Sequence, residues 1–229
     1  MAIKIPFFHY THLDNLLKII ETGEISSRKL LETKSLFFKD VSIDPIQETR
    51  NELGLTSSLP LFAGYYKLFR NYELNGYLQR NYDDPKLQNI RFFGSLHKTI
   101  REKYPEDYPK MTILLLNFEK ICQLADEGKV KLFDDLAIKI GTIELDASNR
   151  NLLLTNINKC IIQNERKQND ITCEVDVQLN TDSLIFPNDV EAIIVNDNEI
   201  WKSINIKIIQ KYDQIVPRKI EIFIDPLPT

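Results

Sequence analysis

Apolar and polar positions alternate with two different periods along the chain, which predicts a mixture of strands and helices. Residues 8–12 suit a short strand, and the next residues suit a helix because their apolar positions recur at helical spacing. Asp14 can cap this helix, and Gly23 stands where helices often end in the left-handed conformation. The apolar face of the helix comprises Leu16, Leu17, Ile19 and Ile20.

Later segments repeat both patterns. Residues 111–118 form an apolar run typical of a buried strand, and 119–125 form a short helix that ends at Gly128. Further elements are expected as strands at 130–133 and 139–145, a helix at 149–163, and a C-terminal hairpin within 200–229.

Composition narrows the class of protein. A chain of 229 residues with 43% hydrophobic residues is large enough for one domain with a core that needs no disulfide or metal. Its net charge of -4 gives no general attraction to nucleic acid, so a nucleic-acid site requires a local basic groove. Cys122, Cys160 and Cys173 lack the C-x-x-C spacing of zinc sites and fit a reducing compartment. We see no secretory leader or long apolar window, and we expect a cytoplasmic protein.

The first candidate for chemistry lies where the first strand meets the first helix. His9 and His12 are two of the three histidines in the chain, and we expect them to share one face of the strand. A histidine at a strand end is more often a structural residue than a ligand. These two residues alone therefore do not decide between the two interpretations.

The wider pattern around His9 is more informative. It reads His9-x-Thr11-x-x-x-Asn15-Leu16-x-x-Ile19-x-x-x-Gly23, which resembles the opening of the DarT-type ADP-ribosyltransferases. These are toxin enzymes that attach ADP-ribose from NAD to nucleic-acid bases. The resemblance implies that His9 and Thr11, two positions apart, form hydrogen bonds to NAD.

Two more blocks follow in the order that the family has. Residues 40–52 resemble a family segment in which a loop leads into a helix reading Ile-Gln-x-x-Arg, whose arginine is catalytic, and Arg50 is the match. Residues 164–177 resemble the segment in which a strand presents the catalytic glutamate, and Glu174 is the match. Without the resemblance, Arg50 suits a surface ion pair and Glu174 suits an exposed strand carboxylate.

The resemblance covers residues 5–60 and 110–196 and is weakest between them. Phe62 and Phe69 align with family side chains that close over the nicotinamide, although the usual lettering is absent and both can be core residues. Relatives carry a histidine near position 135, where this chain has Asp134 and Asp135. Residues 70–110 interleave aromatic and basic side chains, which suits either single-stranded nucleic acid or a polar insertion packed on the sheet.

The resemblance implies an α+β ADP-ribosyltransferase fold, in which helices surround a split, mostly antiparallel sheet and its central NAD cleft. We expect one domain over 1–229, with a divergent target-recognition region at 62–110 and the hairpin at 200–229. NAD is the expected co-substrate and no metal is expected. The expected partners are single-stranded DNA or RNA and an antitoxin protein, with no membrane. Two alternatives remain, namely transfer to a protein side chain and a catalytically inactive binding protein of the same fold.

Overall fold

The fold is described from a computed structural model of the chain. The structure describes residues 6–27, 58–63, 69–82, 100–134, 143–146, 148, 174–179, 184–212 and 220–227. Arg50, the expected helix at 149–163 and the position expected for the family histidine at 135 lie outside these ranges.

Ten strands and four helices of eight or more residues are assigned within the described ranges. The strands are β1 (Phe7–His12), β2 (Glu24–Ile25), β3 (Ser58–Ala63), β4 (Met111–Leu116), β5 (Lys131–Asp134), β6 (Ile143–Glu144), β7 (Glu174–Gln178), β8 (Leu184–Ile185), β9 (Val190–Val195) and β10 (Glu221–Ile224). The helices are α1 (Leu13–Thr22), α2 (Tyr72–Asn81), α3 (Phe118–Asp126) and α4 (Asn198–Tyr212), and a 3-10 turn spans Tyr108–Lys110.

Eight strands form one sheet in the order β10-β9-β4-β1-β3-β7-β5-β6, and β2 pairs with β8 in a second, small sheet. Every pairing is antiparallel except that of β10 with β9. The expected α+β fold with a mostly antiparallel sheet is therefore confirmed.

The two central strands of this sheet diverge. β1 pairs with β4 along all six of its residues, but it pairs with β3 only through Phe7 and Phe8. Beyond Phe8 the sheet opens into a fork between β1 and β3. Pro60 lies in the part of β3 beside this fork, where it pairs with Asp176 of β7.

The core follows the apolar runs of the sequence. All six residues of β4 are buried, as the run at 111–116 predicts for a strand covered on both faces. Leu114 pairs with His9 on one side and with Ile193 of β9 on the other. This central position makes β4 and β1 the rigid base from which the fork opens.

The first helix forms as predicted, with one correction at its start. Gly23 ends α1 with φ 80°, the left-handed conformation that glycine adopts without strain. The N-terminal cap is His12 and not Asp14, because the Nδ1 of His12 accepts the backbone N–H of Asp14 at 3.1 Å. Capping preferences favour aspartate, so the sequence pointed to the wrong member of this pair.

The C-terminal hairpin expected within 200–229 is wrong. Residues 198–212 form α4, and β10 then pairs in parallel with β9. A parallel pair needs a crossover connection, and α4 lies in that connection. The segment Ile204-Asn205-Ile206-Lys207-Ile208 alternates like a strand, yet Ile200, Ile204 and Tyr212 also recur at helical spacing and are the buried positions.

Candidate active site

The candidate site lies at the fork between β1 and β3. Phe8 pairs with Phe62 of β3, and Phe62 pairs with Glu174, the first residue of β7. Neighbouring strands lie about 4.8 Å apart, so the Cα atoms of Phe8 and Glu174 are separated by about 10 Å. The fold thus places Phe62 on the strand next to β1, which carries His9 and Thr11, and Glu174 one strand further away in the same row.

His9 and Thr11 occupy the part of β1 that has diverged from β3. His9 is half-buried and Thr11 is buried, with an exposed fraction of 6%. The carbonyl oxygen of Thr11 accepts a hydrogen bond from Oγ1 of Thr112 on β4, at 3.0 Å. Both positions fall on the opposite face from Phe8, since successive residues of a strand alternate.

The expectation that His9 and His12 share a face is wrong. Three positions separate them, so they alternate onto opposite faces of β1. The side chain of His12 is fully buried, and its Nε2 lies 3.5 Å from Oδ1 of Asp107. His12 therefore joins the end of β1, the start of α1 and the turn before β4, which makes it a structural residue.

Phe69 lies next to the fork but within the core. Its exposed fraction is 8%, and its ring tilts against that of Phe8 with 5.4 Å between centroids. This contact places Phe69 over the first row of paired residues at the fork. Its role as a wall for nicotinamide stays a prediction, and its packing on Phe8 is the contact that the structure shows.

Sequence reasoning missed a buried polar corner beside the site. The Oδ1 of Asp225 accepts the backbone N–H groups of Arg70 and Asn71, at 2.6 and 2.7 Å. Burial raises the pKa of Asp225, while these two hydrogen bonds and the charge of Arg70 lower it in part. Burial also raises the pKa of Tyr10 on β1 well above its usual value, and the nearby Tyr108 and Asp225 add to that rise. In the sequence, the one local indication of this buried polar cluster is that Asp225 stands between an alternating strand and Pro226.

The described residues provide neither a metal cluster nor a membrane-spanning helix. Among them, no group of three or more histidine, cysteine, aspartate or glutamate residues is arranged to hold a metal ion. In the same part of the chain, no helix is long and apolar enough to cross a membrane.

A mostly antiparallel sheet that forks at its centre, flanked by helices, defines the ADP-ribosyltransferase fold. The particular fold is that of DarT: the chain is similar to Thermus sp. 2.9 DarT in complex with ADP-ribosylated ssDNA, with a TM-score of 0.59 and 14% identity over 96% of this chain and 94% of that one. It is also similar to the same protein in complex with carba-NAD+, with a TM-score of 0.58 and 12% identity over 98% and 97% of the two chains.

A third solved structure extends the comparison. Thermosipho africanus DarTG in complex with ADP-ribose matches with a TM-score of 0.50 and 18% identity, over 97% of this chain and 50% of that one. No family model and no curated protein matches the chain. The resemblance seen in three short blocks of sequence is thus confirmed as a likeness of fold.

Proposed function

We propose that the chain is an NAD-dependent mono-ADP-ribosyltransferase that modifies a base of single-stranded DNA. One observation carries the proposal: the register from Phe8 through Phe62 to Glu174 sets a carboxylate-bearing position at the fork. The likeness to DarT structures with NAD+ and with ADP-ribosylated ssDNA supports the same interpretation and favours DNA over RNA.

The reaction breaks the bond between C1′ of the ribose and the nicotinamide nitrogen, and nicotinamide leaves as a neutral molecule with the bonding electrons. Positive charge develops on the ribose, as in glycoside hydrolysis. A base nitrogen then bonds to C1′ and gives up its proton. In our proposal the Glu174 carboxylate stabilises the ribose charge and accepts that proton.

The remaining predicted residues have supporting roles in this scheme. Arg50 pairs with the NAD pyrophosphate or steadies the base and Glu174, since a guanidinium binds such oxygens in a bidentate manner. His9 and Thr11 form hydrogen bonds to NAD, which lies across the fork. Because β1 and β3 separate there, residues on both faces of the sheet border the opening. Phe62 and Phe69 flank the nicotinamide.

The proposed setting is a toxin–antitoxin or phage-defence system. The solved neighbour DarTG supports a partner antitoxin. A single strand is favoured as substrate because a base inside a duplex must first flip out to reach a pocket. We place the reaction in the cytoplasm, where NAD and nucleic acid meet.

The test is incubation of the protein with NAD and a panel of single- and double-stranded DNA and RNA oligonucleotides, read by mass spectrometry. The gain of one ADP-ribose on one base type of single-stranded DNA supports the proposal. Release of nicotinamide with the label on protein contradicts it and favours a protein side chain as acceptor. Absence of any reaction, together with no thermal stabilisation by NAD, favours a catalytically inactive binding protein.

A further inference from the structure

We infer that the exposed side chains of Arg70, Tyr72 and Arg101 form a second contact surface, which holds a segment of single-stranded nucleic acid outside the reaction centre. This surface is called the strand platform below. The inference rests on the proposed function, because it supplies a grip on the strand whose base is modified.

The structure fixes the backbone beneath the platform. Asp225 holds the N–H groups of Arg70 and Asn71, and the Nδ2 of Asn71 donates to the carbonyl of Ile224 at 2.8 Å. The Oδ1 of Asn71 also caps α2 by accepting the N–H of Leu74 at 2.9 Å. Tyr72, the first residue of α2, therefore projects from a rigid anchor.

The same corner brings in the turn that follows Arg101. The side chain of Asn196 donates to the carbonyl of Pro109 at 3.0 Å and accepts the N–H of Leu227 at 2.7 Å. Leu227 lies two residues after Asp225, so the segments that carry Arg70 and Tyr108 are fastened to one stretch of chain. Arg101 and Arg70 are both close enough to the Tyr108 hydroxyl to lower its pKa, against the larger rise due to burial.

The chemistry of this corner points to a phosphate. Arg70 and Arg101 are exposed, and within the described residues neither guanidinium forms an ion pair with a carboxylate. Both cations act on the Tyr108 hydroxyl, and the Asp225 carboxylate near Arg70 already accepts two backbone N–H groups. A further anion at this position would therefore be attracted by both guanidinium groups. Guanidinium groups match the oxygens of a phosphodiester in a bidentate manner.

The chemistry of Tyr72 points to a base. Its side chain is 92% exposed, the highest value among the exposed large hydrophobic residues that the structure describes. Aromatic rings beside cations are the usual elements of single-strand binding, because bases stack on rings while cations follow the phosphates. With a net charge of -4, the chain depends on such local contacts to hold a strand.

The test measures binding of a fluorescent 20-nucleotide single-stranded DNA by anisotropy over a series of salt concentrations. We expect Tyr72→Ala to weaken binding at least about fivefold while Tyr72→Phe keeps it, because only the alanine removes the ring. Arg70→Gln with Arg101→Gln should weaken binding and reduce the salt slope by about 0.7 for each phosphate that is no longer neutralised. Glu73→Gln, which removes a negative charge beside Tyr72, should strengthen binding.

Matched controls lie on α4. Lys207 and Ile206 are exposed residues of α4, so Lys207→Gln and Ile206→Ala should bind like the wild type. Wild-type affinity and salt slope in the platform variants would overturn the inference, as would failure of the wild type to bind any strand. Loss of NAD binding without DNA in the arginine variant would also overturn it, because these residues would then hold the NAD pyrophosphate.

Failure of the proposed function is distinguishable from failure of the platform. If no oligonucleotide receives ADP-ribose but the platform variants still lose strand binding, the platform stands and the transfer reaction does not. If transfer occurs and the variants bind and react like the wild type, the platform is wrong and the reaction stands. If the platform and the transfer reaction are both correct, we expect the platform variants to show a raised KM for long oligonucleotides and an unchanged KM for NAD.

Discussion

The carboxylate of Asp225 accepts the backbone N–H of Arg70 at 2.6 Å, which joins two segments of the fold across 155 positions of sequence. The aspartate is buried and also accepts the N–H of Asn71. One side chain therefore fixes the start of α2 to the end of β10.

Replacement of Asp225 by alanine should lower the free energy of unfolding by about 1–3 kcal/mol, because two buried N–H groups lose their acceptor. Asp225→Asn keeps one acceptor oxygen and should cost less. Urea unfolding measures both, and Glu221→Ala, at an exposed position of β10, is the matched control with a change within about 0.5 kcal/mol. Equal stability of Asp225→Ala and the control would refute the role given to this aspartate.

Asp189 gives a prediction that depends on pH. Burial raises its pKa above the usual value of about 3.9, although its hydrogen bond from the Ile185 N–H lowers it in part. The folded protein thus holds this proton more tightly than the unfolded chain. The resulting stability is complete below the unfolded pKa and is lost as the pH rises through the folded pKa.

Comparison with Asp189→Asn isolates this effect, because asparagine does not titrate. The free energy of unfolding of the wild type minus that of the variant should fall as the pH rises from about 4 towards neutrality. Urea unfolding of both proteins in steps of pH measures the difference. A difference that grows with pH would show that the folded pKa is lowered, contrary to the expectation.

The two histidines of β1 should separate stability from activity. His12→Ala removes the cap of α1 and a buried ring, and should cost about 1 kcal/mol or more. His12→Asn should recover part of that loss, because asparagine is a good cap. His9→Ala should leave stability nearly unchanged and raise the KM for NAD. The assignment fails if His9→Ala destabilises the protein as much as His12→Ala without changing the KM.

Arg50→Ala tests the second block of the resemblance. We expect loss of most transfer activity, because a guanidinium at this position contacts either NAD or the incoming base. Calorimetric titration with NAD separates the two roles, since binding survives only if the arginine acts on the base. If Arg50→Ala were as active as the wild type, the catalytic assignment would be wrong and Arg50 would be interpreted as a member of a surface ion pair.

Local sequence patterns predicted β4 and the end of α1, because these features depend on neighbouring residues in the chain. The run of β4, apolar except for Thr112, is typical of a strand covered on both faces. Gly23 marked the end of α1 because glycine can adopt a positive φ. The helix α4 was missed because its isoleucines fit both the strand and the helix periods. Which period prevails depends on the crossover to β10, and no local window contains that information.

The site was accessible to sequence reasoning only through the resemblance. Nothing in the spacing of Phe8, Phe62 and Glu174 reveals that they lie in one row, because strand register over such separations depends on the whole sheet. The acceptor role of Asp225 was hidden for the same reason. His12 was visible as a residue, but an imidazole is not among the preferred caps, so its structural task became clear only from its burial and its contact with Asp14.

Glu174→Gln offers the most direct test of the central claim. The variant is compared with wild type and with Glu144→Gln, an exposed glutamate of β6, by mass spectrometry of single-stranded DNA incubated with NAD. We predict that the wild type and the control each add one ADP-ribose, and that Glu174→Gln slows the transfer by about 10²–10⁴-fold. Transfer by Glu174→Gln at the wild-type rate would contradict the catalytic role proposed for Glu174.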